Sequence, residues 1–318
     1  MKKIIEIIPN YSEGRDRAVM EAILSPFQRE GISLCLLEMD KDYHRSVVTI
    51  IGEIDVVVES MVESAKIASN KIDLNVQRGE HPRMGAVDVI PILPIKNATE
   101  EDCKETAIKL AKLISEKAKI PVYLYNQSAT REERKLLPNI RRGEFEGLKQ
   151  KMKDRNWFPD FGDPVPHPQA GAVAIGLRKP LIAYNVDLDT PDKTIAKSIA
   201  RKIRFSSGGL PFVQAKAAFL KEVNHVQVTM NLTNYYETSL LQVFLSVCEE
   251  AKKLKTKVIS SEIIGLIPKD ALLLSLPEPK GKETTLEELA LVASKVFLLR
   301  DFSKKKILDY YTDKFLGE

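Results

Sequence analysis

The chain has 318 residues, 44% of them hydrophobic and 29% charged, and its formal net charge is only +4. This composition is typical of a globular enzyme with two domains of about 150 residues each, and no basic block stands out as a nucleic-acid-binding surface. No stretch reaches the ~18 consecutive apolar residues of a membrane span, and three scattered cysteines fit neither a disulfide framework nor a zinc site. The sequence therefore predicts a cytoplasmic protein.

The first part of the sequence carries the element order β-α-β-β-α-β, which is the ferredoxin-like pattern. In chain order we expect a strand at 3–9, a helix from about 16 to 29, strands at 32–39 and 46–52, a helix at 54–71 and a strand at 87–95. The first strand is rich in isoleucine and stops at Pro9, which cannot donate a backbone hydrogen bond. The predicted class is therefore α/β (α+β).

The middle of the sequence is expected to contain two helical regions, a short strand and a long loop. Thr99 opens a helix with a pattern close to a capping box, because an acidic residue follows three positions later. In chain order the remaining elements are a short strand at 122–125, a charged helical region at 130–153 and a loop at 156–171. The density of proline and glycine in that loop indicates an ordered loop or a linker between domains.

The second part repeats the same β-α-β-β-α-β order. The expected elements are a strand at 181–187, a helix from 192 to about 204, strands at 211–220 and 225–232, a helix at about 236–253 and a strand at 257–264. A linker at 275–284 and one terminal helix from Thr285 to about 315 follow. The sequence thus predicts two ferredoxin-like subdomains, residues 1–169 and 170–318, with a C-terminal helical tail.

The stretch from Arg78 to Ala86 is unusual, because it places charged residues and His81 between two glycines. Glycine and proline disfavour both helix and strand, so the stretch must be a loop with a defined path. Histidine is suited to general acid–base chemistry near neutral pH. A surface histidine that only hydrogen-bonds a carbonyl is the alternative; the dense polar surroundings favour a functional role.

Two other stretches are less decisive. The turn from Asp40 to Ser46 carries carboxylates that can orient a substrate or a histidine, but acidic turns are common for conformational reasons alone. In the loop at 156–171, Trp157 can stack on a planar heterocycle or simply pack between domains, and the sequence does not separate these readings. No dinucleotide fingerprint, phosphate-binding loop, zincin motif or nucleophile elbow occurs.

Several long motifs, in a fixed order, resemble the formiminotransferase domain of glutamate formiminotransferases. These motifs are Ile8-Pro9-Asn10-Tyr11-Ser12-Glu13-Gly14, Gly79-Glu80-His81-Pro82-Arg83-Met84-Gly85-Ala86-Val87-Asp88-Val89, Val122-Tyr123-Leu124-Tyr125, Pro159-Asp160-Phe161-Gly162, Ala183-Tyr184-Asn185-Val186, Gln227-Val228-Thr229-Met230-Asn231-Leu232 and Gly265-Leu266-Ile267-Pro268. The resemblance implies two α/β subdomains, a folate groove between them and a homodimer.

The resemblance also implies the site. His81 takes the place of the family's proton-transfer histidine, and Asp40 that of its aspartate near the reacting centre. The folate-contacting loop corresponds to Gly162, Asp163, Pro164, Val165, Pro166, His167, Pro168, Gln169, Ala170 and Gly171. Because both substrates carry carboxylates, Arg83, Arg45 and Arg178 are candidate clamps. The chain departs from the family's pattern at Asn75-Val76-Gln77 and at His44-Arg45, which puts the donor in question more than the folate.

The implied activity is transfer of a formimino group from N-formimino-L-glutamate to N5 of tetrahydrofolate, giving 5-formiminotetrahydrofolate and glutamate, as in histidine degradation. Tetrahydrofolate is the co-substrate and no metal is expected. After residue 268 too little chain remains for a cyclodeaminase domain, so a separate cyclodeaminase is an expected partner. The alternatives are turnover of 5-formyltetrahydrofolate as donor, or a folate-binding protein without catalysis.

Overall fold

The computed structural model describes residues 2–220, 223–277 and 284–317. The chain divides into two compact units, Met1–Arg178 and Lys179–Glu318. The boundary lies later than the sequence-based one at 169/170. The reason is an unpredicted strand at 173–177, which pairs with strands of the first unit and so belongs to it.

The first unit has the predicted β-α-β-β-α-β order, followed by further elements. In chain order these are β1 (Ile4–Ile7), β2 (Asn10–Tyr11), α1 (Arg17–Leu24), β3 (Ile32–Asp40), β4 (Arg45–Glu53), α2 (Ile54–Lys71), β5 (Val87–Lys96), α3 (Glu100–Lys117), β6 (Val122–Leu124), α4 (Leu137–Arg141), α5 (Glu144–Lys151) and β7 (Val173–Leu177). The helix predicted to reach residue 29 ends at Leu24, and a 3-10 turn containing Pro26 follows it.

The sheet of the first unit is a ferredoxin-like sheet with two added strands. β1 and β2 together occupy one position between β4 and β5, with antiparallel pairing, and β3 pairs with the outer side of β4. β7 then pairs parallel to β5, and β6 parallel to β7. The predicted fold is confirmed, with this extension.

Two hydrophobic clusters fix the elements of the first unit. Alternate strand residues such as Ile5, Ile7 and Ile50 share one cluster with apolar residues of α1, α2 and α3, as expected when strand side chains alternate between faces. A second cluster joins Tyr123 and Ala174 to Ile140 of α4 and Leu148 of α5. The second cluster therefore fixes α4 and α5 against the sheet, a point that matters for the site.

The predicted charged helical region at 130–153 is not one continuous helix. It contains a 3-10 turn and the two short helices α4 and α5. Gly143 has φ of +90°, a left-handed conformation that breaks the helix between them.

The second unit contains β8 (Ile182–Leu188), α6 (Lys193–Ile203), β9 (Val213–Leu220), β10 (His225–Leu232), α7 (Leu240–Lys253), β11 (Val258–Ile264), α8 (Lys269–Ser275), α9 (Leu286–Phe297) and α10 (Asp309–Leu316). Its sheet has the order β11-β8-β10-β9 with antiparallel neighbours throughout, which is the predicted ferredoxin-like arrangement. None of the described helices, α1 to α10, is long and apolar enough to cross a bilayer.

The prediction of one terminal helix from Thr285 to about 315 is wrong. Leu298 adopts a left-handed conformation with φ of 55° and ends α9, and α10 begins only at Asp309. In the segment between the two helices, Leu299 makes a parallel β-bridge with Ser261 of β11. Leu289 and Phe297 of α9 are fully buried in the core of the second unit. The tail is thus part of that core. The linker predicted at 275–284 lies mostly outside the described residues.

Candidate active site

The loop that carries His81 packs on the turn between β3 and β4. The Glu80 amide donates to the Asp42 carbonyl at 3.1 Å, and the Gln77 side chain donates to the His44 carbonyl at 2.9 Å. A Cβ atom on Gly79 would lie 2.3 Å from the Tyr43 carbonyl oxygen, so only glycine permits this approach. The loop from Arg78 to Ala86 and the turn from Asp40 to Ser46 are therefore in contact.

A buried carboxylate, which the sequence analysis did not single out, lies at the centre of this region. Asp88 of β5 has no exposed surface, and its Oδ1 accepts a 2.8 Å hydrogen bond from the Met84 amide. Its Oδ2 accepts from Arg45 at 2.9 Å and from Arg141 of α4. Burial by itself raises the pKa of Asp88, but Arg141 and Arg45 hold it well below its usual range. Asp88 is therefore ionised and paired with two cations.

His81 lies beside this group of charges. Its Nδ1 is 2.6 Å from the Pro82 carbonyl, which can only accept, so Nδ1 carries the proton and Nε2 presents a lone pair. Burial lowers the pKa of His81 well below 6.5, and Arg45 and Arg141 lower it further while Asp88 opposes them. The imidazole is consequently neutral near pH 7 and able to accept a proton. His81 does make the hydrogen bond to a carbonyl that is expected of a histidine without a functional role. The guanidinium groups of Arg45 and Arg141, however, give the ring a charged environment that a surface histidine lacks.

Asp40 is placed at the end of β3, in the turn that faces the His81 loop. Its Oδ1 accepts a 2.8 Å hydrogen bond from the Tyr43 amide and so fixes the turn. The Tyr43 ring lies 6.3 Å from the imidazole of His81, measured between centroids. Tyr43 thus connects Asp40 to His81, whereas the carboxylate that acts electrostatically on His81 is Asp88.

The three candidate arginine clamps have different surroundings. Arg45 is buried, and besides Asp88 it donates to the Asn10 side chain at 2.8 and 3.1 Å. Burial lowers its pKa to about 10, and Asp88 partly offsets this effect. Arg178 hydrogen-bonds Tyr125 and acts on the buried carboxyl of Glu6.

Arg83 is held in a rigid polar frame. Its two terminal nitrogens form a bidentate pair with Glu146 at 2.8 and 2.7 Å, and its Nε donates to Gln77 at 2.9 Å. Glu144 accepts from the same guanidinium at 3.3 Å. To bind a substrate carboxylate, Arg83 has to exchange one of these partners.

A polar cavity of about 370 Å³ opens next to Arg83. It is lined by Arg78, Gly79, Arg83, Gly143, Glu144 and Glu146. Among the described residues no group of three or more histidine, cysteine or carboxylate side chains is arranged to bind a metal ion.

The expected folate loop and the His81 loop are joined by backbone hydrogen bonds. The Ala86 amide donates to the Ala170 carbonyl at 3.0 Å, and the Ala172 amide donates to the Met84 carbonyl at 3.0 Å. A Cβ on Gly171, whose φ is +65°, would lie 2.0 Å from the Met84 oxygen, so this close pairing requires glycine.

Within the folate loop, one end is fixed and the apex is exposed. His167 and Gly171 exchange two backbone hydrogen bonds of 2.9 Å, and His167 Nδ1 accepts from the Ala170 amide at 3.0 Å. Residues 162–165 are solvent-exposed, and Val165 shows 64% of its surface. The exposed, proline-rich apex offers an apolar surface for a planar ring.

Trp157 does not stand open for stacking. The Lys151 ammonium lies 3.9 Å from the centroid of its ring, and the Tyr123 hydroxyl donates to the Trp157 carbonyl at 2.7 Å. The geometry therefore favours the interpretation that Trp157 packs inside the protein. If a planar ring of the substrate stacks on this loop, it does so at the exposed apex.

The second unit holds a separate buried polar cluster on its sheet. Asp187 of β8 has no exposed surface and accepts from Gln227, Ser260 and Arg300. Arg300 also pairs with Glu262 at 2.5 Å, and Gln227 donates to the same glutamate at 2.9 Å. One arginine thus partly neutralises two carboxylates in the sheet.

Comparison with known proteins identifies relatives over most of the chain. Residues 4–178 match the model described as "Formiminotransferase domain, N-terminal subdomain", and residues 183–292 match "Formiminotransferase domain". The glutamate formimidoyltransferase of Streptococcus pyogenes serotype M1 is 41% identical over 274 residues, which cover 86% of this chain and 92% of that protein. The glutamate formimidoyltransferase of Thermoplasma acidophilum is 42% identical over 276 residues, covering 85% and 90%.

A longer relative shares the same region. The formimidoyltransferase-cyclodeaminase of Dictyostelium discoideum is 38% identical over 330 residues, which cover 98% of this chain but 60% of that protein. The matched residues include both units and the whole of the His81 centre.

Proposed function

The chain belongs to the formiminotransferase family, and we infer on that premise that it transfers the formimino group of N-formimino-L-glutamate to N5 of tetrahydrofolate. It is a transferase, and tetrahydrofolate is its co-substrate. The observation that carries the catalytic part of the proposal is a neutral, partly buried His81 whose Nε2 presents a lone pair, beside a charged group of Asp88, Arg45 and Arg141.

His81 acts as the proton carrier. Tetrahydrofolate, when bound, supplies the nucleophilic nitrogen N5. The Nε2 lone pair of His81 accepts the proton that N5 must lose, and the resulting imidazolium returns it to the departing glutamate nitrogen. One histidine can perform both steps, because the neutral imidazole has the Nε2 lone pair that accepts the proton and the imidazolium, whose pKa is lowered, releases it readily.

The charged group around His81 sets its protonation state. Arg45 and Arg141 disfavour the imidazolium at rest, whereas Asp88 stabilises it once it forms. Asp88 also holds both guanidinium groups in position. Asp40 contributes by fixing the β3–β4 turn against the His81 loop. Arg45, Arg83 and Arg178 remain candidate clamps for the substrate carboxylates.

We assign folate binding to the loop Gly162–Gly171. Its fixed end is hydrogen-bonded to the His81 loop, which supports a folate site that reaches the acid–base group from this end of the loop. A homodimer and a cytoplasmic location belong to the same proposal. Because the relatives from Dictyostelium and chicken are named formimidoyltransferase-cyclodeaminases, a cyclodeaminase is the proposed consumer of the product.

The decisive experiment compares donors on the purified protein. Formiminoglutamate with tetrahydrofolate should yield 5-formiminotetrahydrofolate and glutamate in equal amounts, followed by liquid chromatography and mass spectrometry. If the protein turns over 5-formyltetrahydrofolate but not formiminoglutamate, the alternative donor is established. Tight folate binding with no turnover of either donor would establish a binding protein without catalysis.

A further inference from the structure

Arg141, one of the two guanidinium groups beside His81, is held on an unusually small element. It is the last residue of α4, which has five residues and no side-chain N-terminal cap. Helices this short are not stable by themselves, since few backbone hydrogen bonds offset the cost of nucleation. Something outside α4 must therefore fix the position of Arg141.

Besides the buried cluster around Ile140, the Lys151 ammonium at the end of α5 fixes α4. Its Nζ donates to the carbonyl oxygens of Asn139 and Ile140, each at 2.6 Å, and lies 3.3 Å from the carbonyl oxygen of Arg142. These are carbonyls at the C-terminal end of α4, where a cation satisfies unpaired acceptors and interacts favourably with the helix dipole. Lys151 thus binds the backbone on both sides of Arg141.

Lys151 is in turn held by Trp157. The ring centroid is 3.9 Å from Nζ, a close cation–π contact. Leu148 of the same helix α5 shares a buried cluster with Ile140, and Trp157 packs against that cluster. The arrangement runs from Trp157 through Lys151 and Arg141 to Asp88, beside His81.

We propose that Lys151 is a positioning residue for the transfer reaction, because its ammonium fixes the end of α4 and thereby holds the Arg141 guanidinium against Asp88 beside His81. The proposal rests on the function proposed above, in which His81 is the acid–base group. It predicts that loss of the Lys151 charge lowers kcat, because the environment of His81 changes, while folate binding on the separate loop persists.

The charge on Lys151 is itself close to titration. Burial lowers the pKa of Lys151 to about 8, and the neighbouring cations Arg142 and Arg134 lower it further. Arg134 is paired with Asp160 at 2.7 Å, which reduces its influence. Since the ammonium is present below this pKa and lost above it, the restraint on Arg141 weakens as the pH rises through about 8.

Trp157 provides the readout, because it is the single tryptophan of the chain. In the wild-type protein, tryptophan emission and kcat at saturating substrates are measured from pH 6.5 to 10. We expect both to change with one apparent pKa near 8. In Lys151→Arg, whose charge persists over this range, both transitions should disappear. In Lys151→Met, kcat below pH 8 should fall about 10-fold to 100-fold, as for a small misplacement of catalytic groups. The difference from the wild type should shrink as the pH rises above about 8, where the wild-type ammonium is itself lost.

The matched control is Lys149→Met on the same helix, where the side chain is exposed. It removes the same charge and should leave the emission titration and kcat within about twofold of the wild type, since exposed substitutions have small effects. The proposal is overturned if kcat of folded Lys151→Met is near the wild-type value, or if emission titrates near pH 8 while kcat does not. If Lys151→Met does not fold, the wild-type and Lys151→Arg profiles decide the matter.

Failure of this proposal is distinguishable from failure of the proposed function. If His81→Ala remains active, the acid–base assignment fails, whatever Lys151 does. If His81→Ala is inactive and the Lys151 variants turn over normally, only the positioning role is lost.

Discussion

The Asp88 carboxylate and the Arg45 guanidinium form a 2.9 Å ion pair in which 0% and 8% of the two side chains are exposed. Removing two charges from water costs several kcal/mol per ion, so such a pair is weak evidence of a stabilising role. The pair also acts on His81, because burial lowers the pKa of the imidazole, Arg45 and Arg141 lower it further, and Asp88 opposes them.

Replacement of His81 by alanine tests the acid–base role directly. General acid–base groups contribute roughly 10²–10⁴-fold, so kcat should fall by that factor. Tetrahydrofolate binding, measured by calorimetry, should persist because the folate loop keeps its own backbone bonds. A folded variant with near-normal kcat would show that His81 has only a structural role.

Arg141→Gln tests how the guanidinium acts on His81. In the wild type the depressed pKa keeps the imidazole neutral, so kcat/KM should stay level as the pH falls to 6.5 and decline only below it. Removing Arg141 takes away one cause of that depression, and the decline should move to higher pH. Arg142→Gln, an exposed neighbour with the same charge change, should leave the profile in place. Identical profiles for all three proteins would contradict the assignment.

A comparison of Asp88→Asn with Asp40→Asn separates the two candidate carboxylates. Asp88→Asn leaves the buried Arg45 and the partly buried Arg141 without an anion, which should destabilise the protein by about 3–5 kcal/mol and reduce kcat strongly. Asp40→Asn keeps an amide oxygen that can still accept from the Tyr43 amide, so both quantities should change little. Urea unfolding and steady-state kinetics check this; the reverse order of effects would restore Asp40 as the principal partner of His81.

The repeated β-α-β-β-α-β order was predictable because the strands alternate and the helices carry apolar stripes. The strand at 173–177 was missed, since its pattern Val-Ala-Ile-Gly-Leu is short, contains glycine and follows directly on a loop rich in proline. The break of the tail at Leu298 was also hidden. Leucine rarely adopts a left-handed conformation, and here the backbone is held by β11, whose Ser261 amide donates to the Leu298 carbonyl at 2.9 Å.

Within the candidate site, the sequence pointed to His81 and Arg45 but not to Asp88 or Arg141. Asp88 gave a usable signal, because a carboxylate in the apolar run Val87–Ile92 must have a buried partner. Arg141 gave none, since it stands in a stretch crowded with charges where most side chains are exposed. Proximity between α4 and β5 arises from the second hydrophobic cluster, which no local pattern reveals.

Glu6 provides a test of burial on β1. This carboxyl is only 4% exposed, and burial raises its pKa to about 7, with Arg178 acting in the opposite direction. Because its folded pKa lies above its ordinary value of 4.5, its contribution to stability is present below pH 4.5 and is lost as the pH rises through 7. The ionised form costs roughly 3 kcal/mol, from about 1.36 kcal/mol for each pH unit.

Glu6→Gln should therefore raise the free energy of unfolding at pH 8.5 and change it little at pH 5. Urea denaturation at both pH values measures the difference, and Glu38→Gln on the edge strand β3 of the same sheet, where the side chain is partly exposed, is the control. A Glu6→Gln protein that is less stable at pH 8.5 would mean that its ionised form is held by Arg178 more strongly than burial opposes it.

Two substitutions in α9 test whether the C-terminal tail belongs to the core of the second unit. Phe297 at the end of α9 is fully buried and meets Phe244 of α7 edge to face, with the ring centroids 5.8 Å apart. Phe297→Ala should therefore cost about 3–5 kcal/mol. Leu291→Ala, on the same helix but 57% exposed, should cost less than about 0.5 kcal/mol. Thermal and urea unfolding measure both. Equal, small losses in the free energy of unfolding would mean that α9 is only attached to the surface and that the chain folds without it. If Phe297→Ala loses much more than Leu291→Ala, we expect removal of residues 286–318 to unfold the second unit.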